Sequence, residues 1–174
     1  MTGVSLHIPE PHERTMLTLD AGRARFTYRI VGVALDRDRV LLHRAETDDF
    51  WSLPGGRAEL GEPATETLRR EMREELGAEV RVERLLWVVE NFFGHDDRAQ
   101  HELGLYFLMT LPREAGLYER SEPFEGREDG LTLIFQWHRL DRLAALPLYP
   151  TFLHEALQAL PDVIAHVIHT DNPK

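Results

Sequence analysis

The chain has 174 residues, 20 of them Lys or Arg and 30 Asp or Glu, for a formal net charge of −10. That length suits one domain with a real core, and so acidic a field does not attract a nucleic acid duplex. Without cysteine the chain forms no disulfide and no thiolate metal site, and the redox compartment stays open.

Residues 1–15, MTGVSLHIPEPHERT, are polar, carry Pro9 and Pro11, and read as an irregular arm with no secretory h-region. No apolar run is long enough to span a membrane, so the expectation is a soluble cytoplasmic protein. Residues 16–19 and 25–35 are rich in β-formers and read as strands. Asp36-Arg37-Asp38 makes a turn, and 39–44 (RVLLHR) returns as the hairpin partner. Arg29 and Arg44 are either exposed strand charges or groups that reach a phosphate, which suits the planar guanidinium.

The run Phe50-Trp51-Ser52-Leu53-Pro54-Gly55-Gly56 then makes a tight turn where backbone can approach a ligand or metal closely. A helix follows. Glu62 sits at its positive end and Pro63 suits its first position. Ala64, Leu68, Met72 and Leu76 recur at four-residue spacing as a buried stripe, and Gly77 ends the helix. Glu71, Glu74 and Glu75 stand at i, i+3 and i+4, a cluster of carboxylates at the edge of that stripe. Three like charges repel unless a cation lies between them, and magnesium takes carboxylates, waters and substrate phosphates as ligands. The cluster therefore points to metal-assisted chemistry on a phosphorylated substrate.

Residues 79–93 read as a long, bent strand, 95–97 as a turn, and 100–111 as its antiparallel partner. Glu90 and Glu102 are acidic residues in apolar strands, costly unless paired or functional, and each is read as either cleft-facing or solvent-facing. Phe92 and Phe93 are core residues or platforms for a base. Residues 112–130 form a charged loop, 131–140 a strand, 141–145 a short helix, 150–160 a last helix, and the tail a short strand. His154, His166 and His169 read as surface histidines, because i and i+3 in a strand point to opposite faces. No repeat or linker interrupts the chain, so residues 1–174 are one domain with its core over about 26–160. Periodicity alone gives an α/β or α+β class.

The charged and glycine positions of the helical segment fall into a known order. Gly56, five residues, Glu62, seven residues, Arg70-Glu71-Met72, one residue, then Glu74-Glu75-Leu76-Gly77-Ala78 resembles the Nudix box, G-x5-E-x7-R-E-U-x-E-E-x-G-U. The one departure is Ala78, where the family usually places a larger aliphatic residue. The preceding aromatic-x-Leu-Pro-Gly-Gly run extends the resemblance, which covers about residues 26–160. It implies an α/β/α sandwich with a mixed β-sheet between helices. It also implies magnesium, with manganese as a substitute, held by Glu71, Glu74, Glu75 and a Gly56 or Gly55 carbonyl. Arg70 would brace the loop against the helix.

The activity implied is hydrolysis of a phosphoanhydride in a nucleoside di- or triphosphate, or in a nucleoside diphosphate linked to another group. The partner is a small nucleotide, and a homodimer is compatible with the resemblance. The general base is open among Glu71, Glu74, Glu102 and Glu128, with Glu125 and Glu128 as further loop candidates. Arg29, Arg44, Glu102 and Glu128 are the candidate substrate-binding residues. The isoprenoid diphosphate isomerase branch uses a cysteine that this chain lacks, whereas a non-catalytic nucleotide-sensing domain is the alternative. The proline that marks ADP-ribose preference downstream of the box is missing, with Gly94 near its place, and the coenzyme A signature is missing too. Nucleoside di- and triphosphates and nucleotide sugars remain open.

Overall fold

In the computed structural model, which describes residues 14–95, 97–128 and 130–171, the runs of β-formers become strands of one mixed sheet. β1 (Thr18–Ala21), β2 (Ala24–Asp36), β3 (Arg39–Ala45) and the short β4 (Gly55–Arg57) precede the main helix, α1 (Ala64–Leu76). β5 (Arg81–His95), β6 (Arg98–Thr110), β7 (Phe124–Glu128) and β8 (Leu131–Arg139) follow. A short helix, α2 (Leu153–Ala156), leads to the last strand, β9 (Ala165–Asp171). The order across the sheet is β7-β8-β3-β2-β6-β5-β9, and β1 and β4 pair with β2 off this path. β2 and β6 run parallel, as do β5 and β9, while the other pairs are antiparallel.

Alternation along the strands builds a core on each side. Ile30 and Ala34 of β2 pack on one face with Leu68 and Met72 of α1. Val31 and Val33 pack on the other with Trp87, Tyr106, Leu148 and Leu153. Successive residues of a strand point to opposite faces, so one strand feeds both layers. The architecture is the expected α/β/α sandwich, with a thinner second layer. Of the helix expected over 150–160, only Leu153–Ala156 is α-helical. The turn before it closes on tighter i to i+3 bonds, from Leu153 N to Pro150 O and from His154 N to Thr151 O. Residues Leu140–Ala145 form a 3-10 turn.

The bend expected in the long strand lies at register shifts between Val82 and Arg84 and between Leu85 and Trp87. Helix α1 starts one residue later than expected. Pro63 is extended (φ −63°, ψ 142°) and serves as the cap, its carbonyl accepting from Glu66 N and Thr67 N. Most of the arm over 1–15 lies outside the described residues, but Thr15 O accepts from Leu60 N at 2.8 Å and Met16 bridges to Glu59. Among the described residues no helix is long and apolar enough to cross a membrane.

The largest difference from expectation falls in 112–130. That stretch holds β7, which pairs with β8 from Phe124 opposite Phe135 to Glu128 opposite Leu131. The segment FEGRE lacks the apolar alternation of a strand, and only its context makes it one: Phe124 stacks on Phe135 at 5.8 Å. Gly126 allows the close approach. A Cβ there would lie 2.4 Å from Glu75 O and 2.6 Å from the Phe135 ring, so no larger residue fits between α1 and β8.

Candidate active site

Helix geometry sorts the three glutamates of α1. With 3.6 residues per turn, Glu75 lies roughly 40° from the midline of the Leu68–Met72 stripe, Glu71 roughly 80°, and Glu74 roughly 140°. Docking that stripe into the core carries Glu71 and Glu75 down with it, to 4% and 3% exposure, and leaves Glu74 exposed. The close seat of β7 on α1 then brings in Glu128. One carboxylate oxygen from each of Glu71, Glu75 and Glu128 lies within 4.8 Å of the others.

Electrostatics set this trio apart from an ordinary ion-pair network. Burial pushes the Glu75 carboxyl well above its usual range, with Glu128 and Glu71 adding to the shift and Arg29 opposing it. Both Glu75 oxygens are buried with no hydrogen-bond partner among the described residues. Burial also raises Glu71, against the pull of Arg70. A buried carboxylate without donors, as at Glu75, is expensive, and three hard oxygens so close together form the donor set that a divalent cation accepts. The residues present fit the metal that the resemblance implies. His43 closes the site from β3: its Nδ1 is 3.7 Å from Glu75 Oε2, too far for a hydrogen bond. Burial and the Arg29 charge push His43 down to about 3, so it faces Glu75 as a neutral ring.

Arg70 braces the turn that precedes α1. Its Nε and Nη2 donate to the two oxygens of Glu62 at 3.0 Å each, and its Nη1 donates to Glu71 at 2.8 Å and Glu74 at 3.3 Å. Nη2 also reaches the Arg57 carbonyl at 3.3 Å. Thr67 Oγ1 donates to Glu62 at 2.7 Å. Burial opposes it, yet the bonds from Arg70 and Thr67 hold Glu62 below its ordinary range. Glu66, four residues before Arg70, pairs instead with Arg69.

Gly56 fixes the other wall. A Cβ there would stand 2.2 Å from the Glu71 carboxyl carbon, so the carboxylate rests directly on bare backbone. Gly56→Ala must displace Glu71, and affinity for a divalent cation is expected to fall about 10- to 100-fold. Calorimetric titration with the metal reads this, and an affinity equal to the parent's would remove Gly56 from the site.

The remaining sequence candidates separate. Arg29 donates to Gly55 O at 3.0 Å, and burial works against its charge while Glu102, Glu75 and Glu128 all favour it. Arg44 points elsewhere: it donates to the carbonyls of Ala45, Glu46 and Asp48 and lies over the Trp51 ring. Glu74 pairs with Arg14 and Arg70 at the rim. Glu125 is exposed, and Glu102 lines a separate cavity on the α2 side of the sheet. His166 bonds Glu90 at 2.9 Å and His169 bonds Asp171 at 3.0 Å. These histidines do not converge.

Sequence reasoning missed the cations around the trio. Arg14, Arg57 and Arg127 line a cavity of about 300 Å³ together with Arg70, Glu71 and Glu128. Arg57 and Arg127 enter no ion pair among the described residues, which leaves both guanidinium groups available to an anion. Their signal was adjacency, since Arg57 follows Gly56 and Arg127 precedes Glu128.

Comparison with known proteins identifies the family. The NUDIX domain family model matches residues 26–160. The chain is 37% identical over 81 residues to YjhB of Bacillus subtilis, whose name provisionally assigns an ADP-ribose pyrophosphatase activity. That match covers 46% of this chain but only 39% of the Bacillus protein, well under half its length. An 8-oxo-dGTP diphosphatase of Buchnera aphidicola is 23% identical over 123 residues, 68% of this chain and 82% of that protein. Among solved structures, an ADP-ribose pyrophosphatase from Streptococcus suis superposes with a TM-score of 0.53 and 17% identity. It covers 82% of this chain and 98% of its own, a likeness of fold.

Proposed function

Because this chain belongs to the NUDIX domain family, we propose that it is a metal-dependent pyrophosphohydrolase acting on a nucleoside di- or triphosphate or a related nucleoside diphosphate. The observation that carries the reading is the buried Glu75 carboxylate, unpartnered at both oxygens and grouped with Glu71 and Glu128. Magnesium is the ion we assign, with manganese as a substitute, held by these three glutamates beside the Gly56 backbone. A cation bound there neutralises non-bridging phosphate oxygens and makes water a stronger nucleophile.

The chain's own residues do the rest. Arg57 and Arg127 face the same cavity as Glu71 and Glu128, so they meet the charge that grows on the phosphate oxygens as the anhydride breaks. Arg70 is a positioning residue. Its fork holds Glu62, Glu71 and Glu74 in one frame, which keeps Glu71 aimed before substrate arrives. The proton of the attacking water passes to a carboxylate of this group, Glu74 included. Names of relatives support the substrate class and leave its member open, because one refers to ADP-ribose and another to 8-oxo-dGTP.

The test is chromatographic separation of the nucleotide products formed from nucleoside di- and triphosphates, ADP-ribose, nucleotide sugars and dinucleoside polyphosphates. Each is run with magnesium, with manganese and with EDTA. Turnover with metal and none with EDTA is the expected result. Turnover that persists in EDTA would overturn the metal reading. Silence on every substrate, with magnesium binding retained, would favour a nucleotide-sensing domain.

A further inference from the structure

A second cavity, of about 590 Å³, opens between the α2 side of the sheet and the segments around Phe50 and Tyr149. Its floor is polar where the sheet should be apolar. Asn91 of β5 and Glu102 of β6 are direct cross-strand partners and so project side by side. Asn91 is 4% exposed, and its Oδ1 is buried with no hydrogen-bond partner among the described residues. The Glu102 side chain has no ion pair or hydrogen bond among them either, and burial raises its carboxyl against the opposing charge of Arg29. Asp171, which also lines the cavity, is already occupied by Thr151 and His169. Two adjacent acceptors without donors, one buried at Asn91 and one half-buried at Glu102, mark a place where a ligand supplies N–H groups.

The walls narrow the ligand further. Phe50, Phe93, Tyr106 and Tyr149 line the space, and the Phe50 and Tyr149 rings meet edge to face at 5.9 Å. Such walls suit a planar ring. Carboxylates of Asp49, Glu102 and Asp171 line this cavity and repel phosphate, whereas Arg57 and Arg127 line the cavity of Glu71 and Glu128, so the phosphate end of a nucleotide belongs there. Among the common bases, guanine presents two neighbouring donors, a ring N–H beside an exocyclic amine. Hypoxanthine lacks the amine, and adenine and cytosine lack the ring N–H.

We propose that this cavity is a guanine-base pocket in which Asn91 and Glu102 accept the ring N–H and the exocyclic amine and so determine specificity. The proposal rests on the hydrolase reading for the placement of the phosphates, and the base contacts are tested apart from it. GMP, IMP and AMP are titrated calorimetrically in EDTA, where no turnover enters the measurement. GMP is expected to bind at least about tenfold tighter than IMP or AMP, because a buried acceptor left without its donor penalises the analogue. Asn91→Leu should lose at least about tenfold in GMP affinity yet melt no lower than the parent, since it removes an unpartnered buried polar group. Glu102→Gln should narrow the gap between GMP and IMP while leaving IMP binding unchanged.

Equal binding of GMP and IMP, or no binding of any of the three, overturns the proposal. So does an Asn91→Leu variant that melts lower and binds GMP as before, which would make Asn91 structural. A chain that binds GMP selectively but hydrolyses none of the nucleotide substrates keeps this pocket and loses the hydrolase reading. Turnover with no base preference does the reverse.

Discussion

Glu75→Gln is expected to lower metal-dependent turnover by about a thousandfold or more while leaving the fold intact. The magnitude follows from the several kcal/mol that a bound cation contributes to phosphoryl transfer, at about 1.36 kcal/mol per tenfold in rate. Retention of the fold follows from the site. Glu75 has no hydrogen bond to lose, and its neighbours Glu71 and Glu128 repel it. An amide of the same shape removes that repulsion, so in EDTA the variant should melt at or above the parent's temperature. Magnesium should raise the melting temperature of the parent and not of the variant, because a ligand stabilises only a state it binds. Parallel melting curves and chromatographic hydrolysis assays read both effects. A variant that keeps metal-dependent turnover would remove Glu75 from the metal site.

Arg70→Met should instead damage the fold. Arg70, with its side chain only 12% exposed, is the shared partner of Glu62, Glu71 and Glu74. Removing it leaves the Glu62 and Glu71 carboxylates partly buried without their cation. Breaking a buried pair from one side costs about 3 kcal/mol, and at 2–4 °C per kcal/mol for a chain of this size the melt should fall by roughly 6–12 °C. Arg70→Lys restores the charge but not the two parallel bonds to Glu62, so it should recover part of the stability and little of the activity. Urea unfolding in EDTA separates the stability loss from metal binding. A loss below about 1 kcal/mol would place Arg70 with exposed surface pairs, which contribute little.

These two residues also show what a sequence can and cannot specify. The spacing of Gly56, Glu62, Arg70, Glu71 and Glu75 is legible because all five lie on one turn and one helix, where local geometry fixes neighbours. The edge position of the glutamates follows from helical periodicity, while the fork of Arg70 onto Glu62 needs the turn before Pro63 to fold back along the helix. The two-layer core is legible in the same way, from alternation along 25–35 and the stripe through Leu68 and Met72.

Contacts between distant segments were not legible, because they depend on strand register and on which elements approach closely. Glu128 could be named only as a loop candidate. It reaches Glu71 and Glu75 because FEGRE becomes a strand against β8 and Gly126 lets that strand lie on α1. Glu74, equal to its neighbours in the sequence, turns to the rim once the helix settles on its apolar stripe. Arg44 is drawn to the carbonyls of its own turn, while Arg57 and Arg127 line the cavity beside Glu71 and Glu128. The pairing of Asn91 with Glu102 needs β5 and β6 in register, bulges included. The sequence by itself therefore determined the family, the helix and most of the carboxylates. Only the tertiary structure decided which carboxylates meet, because burial of one helix stripe and the close seat of one glycine strand set their distances.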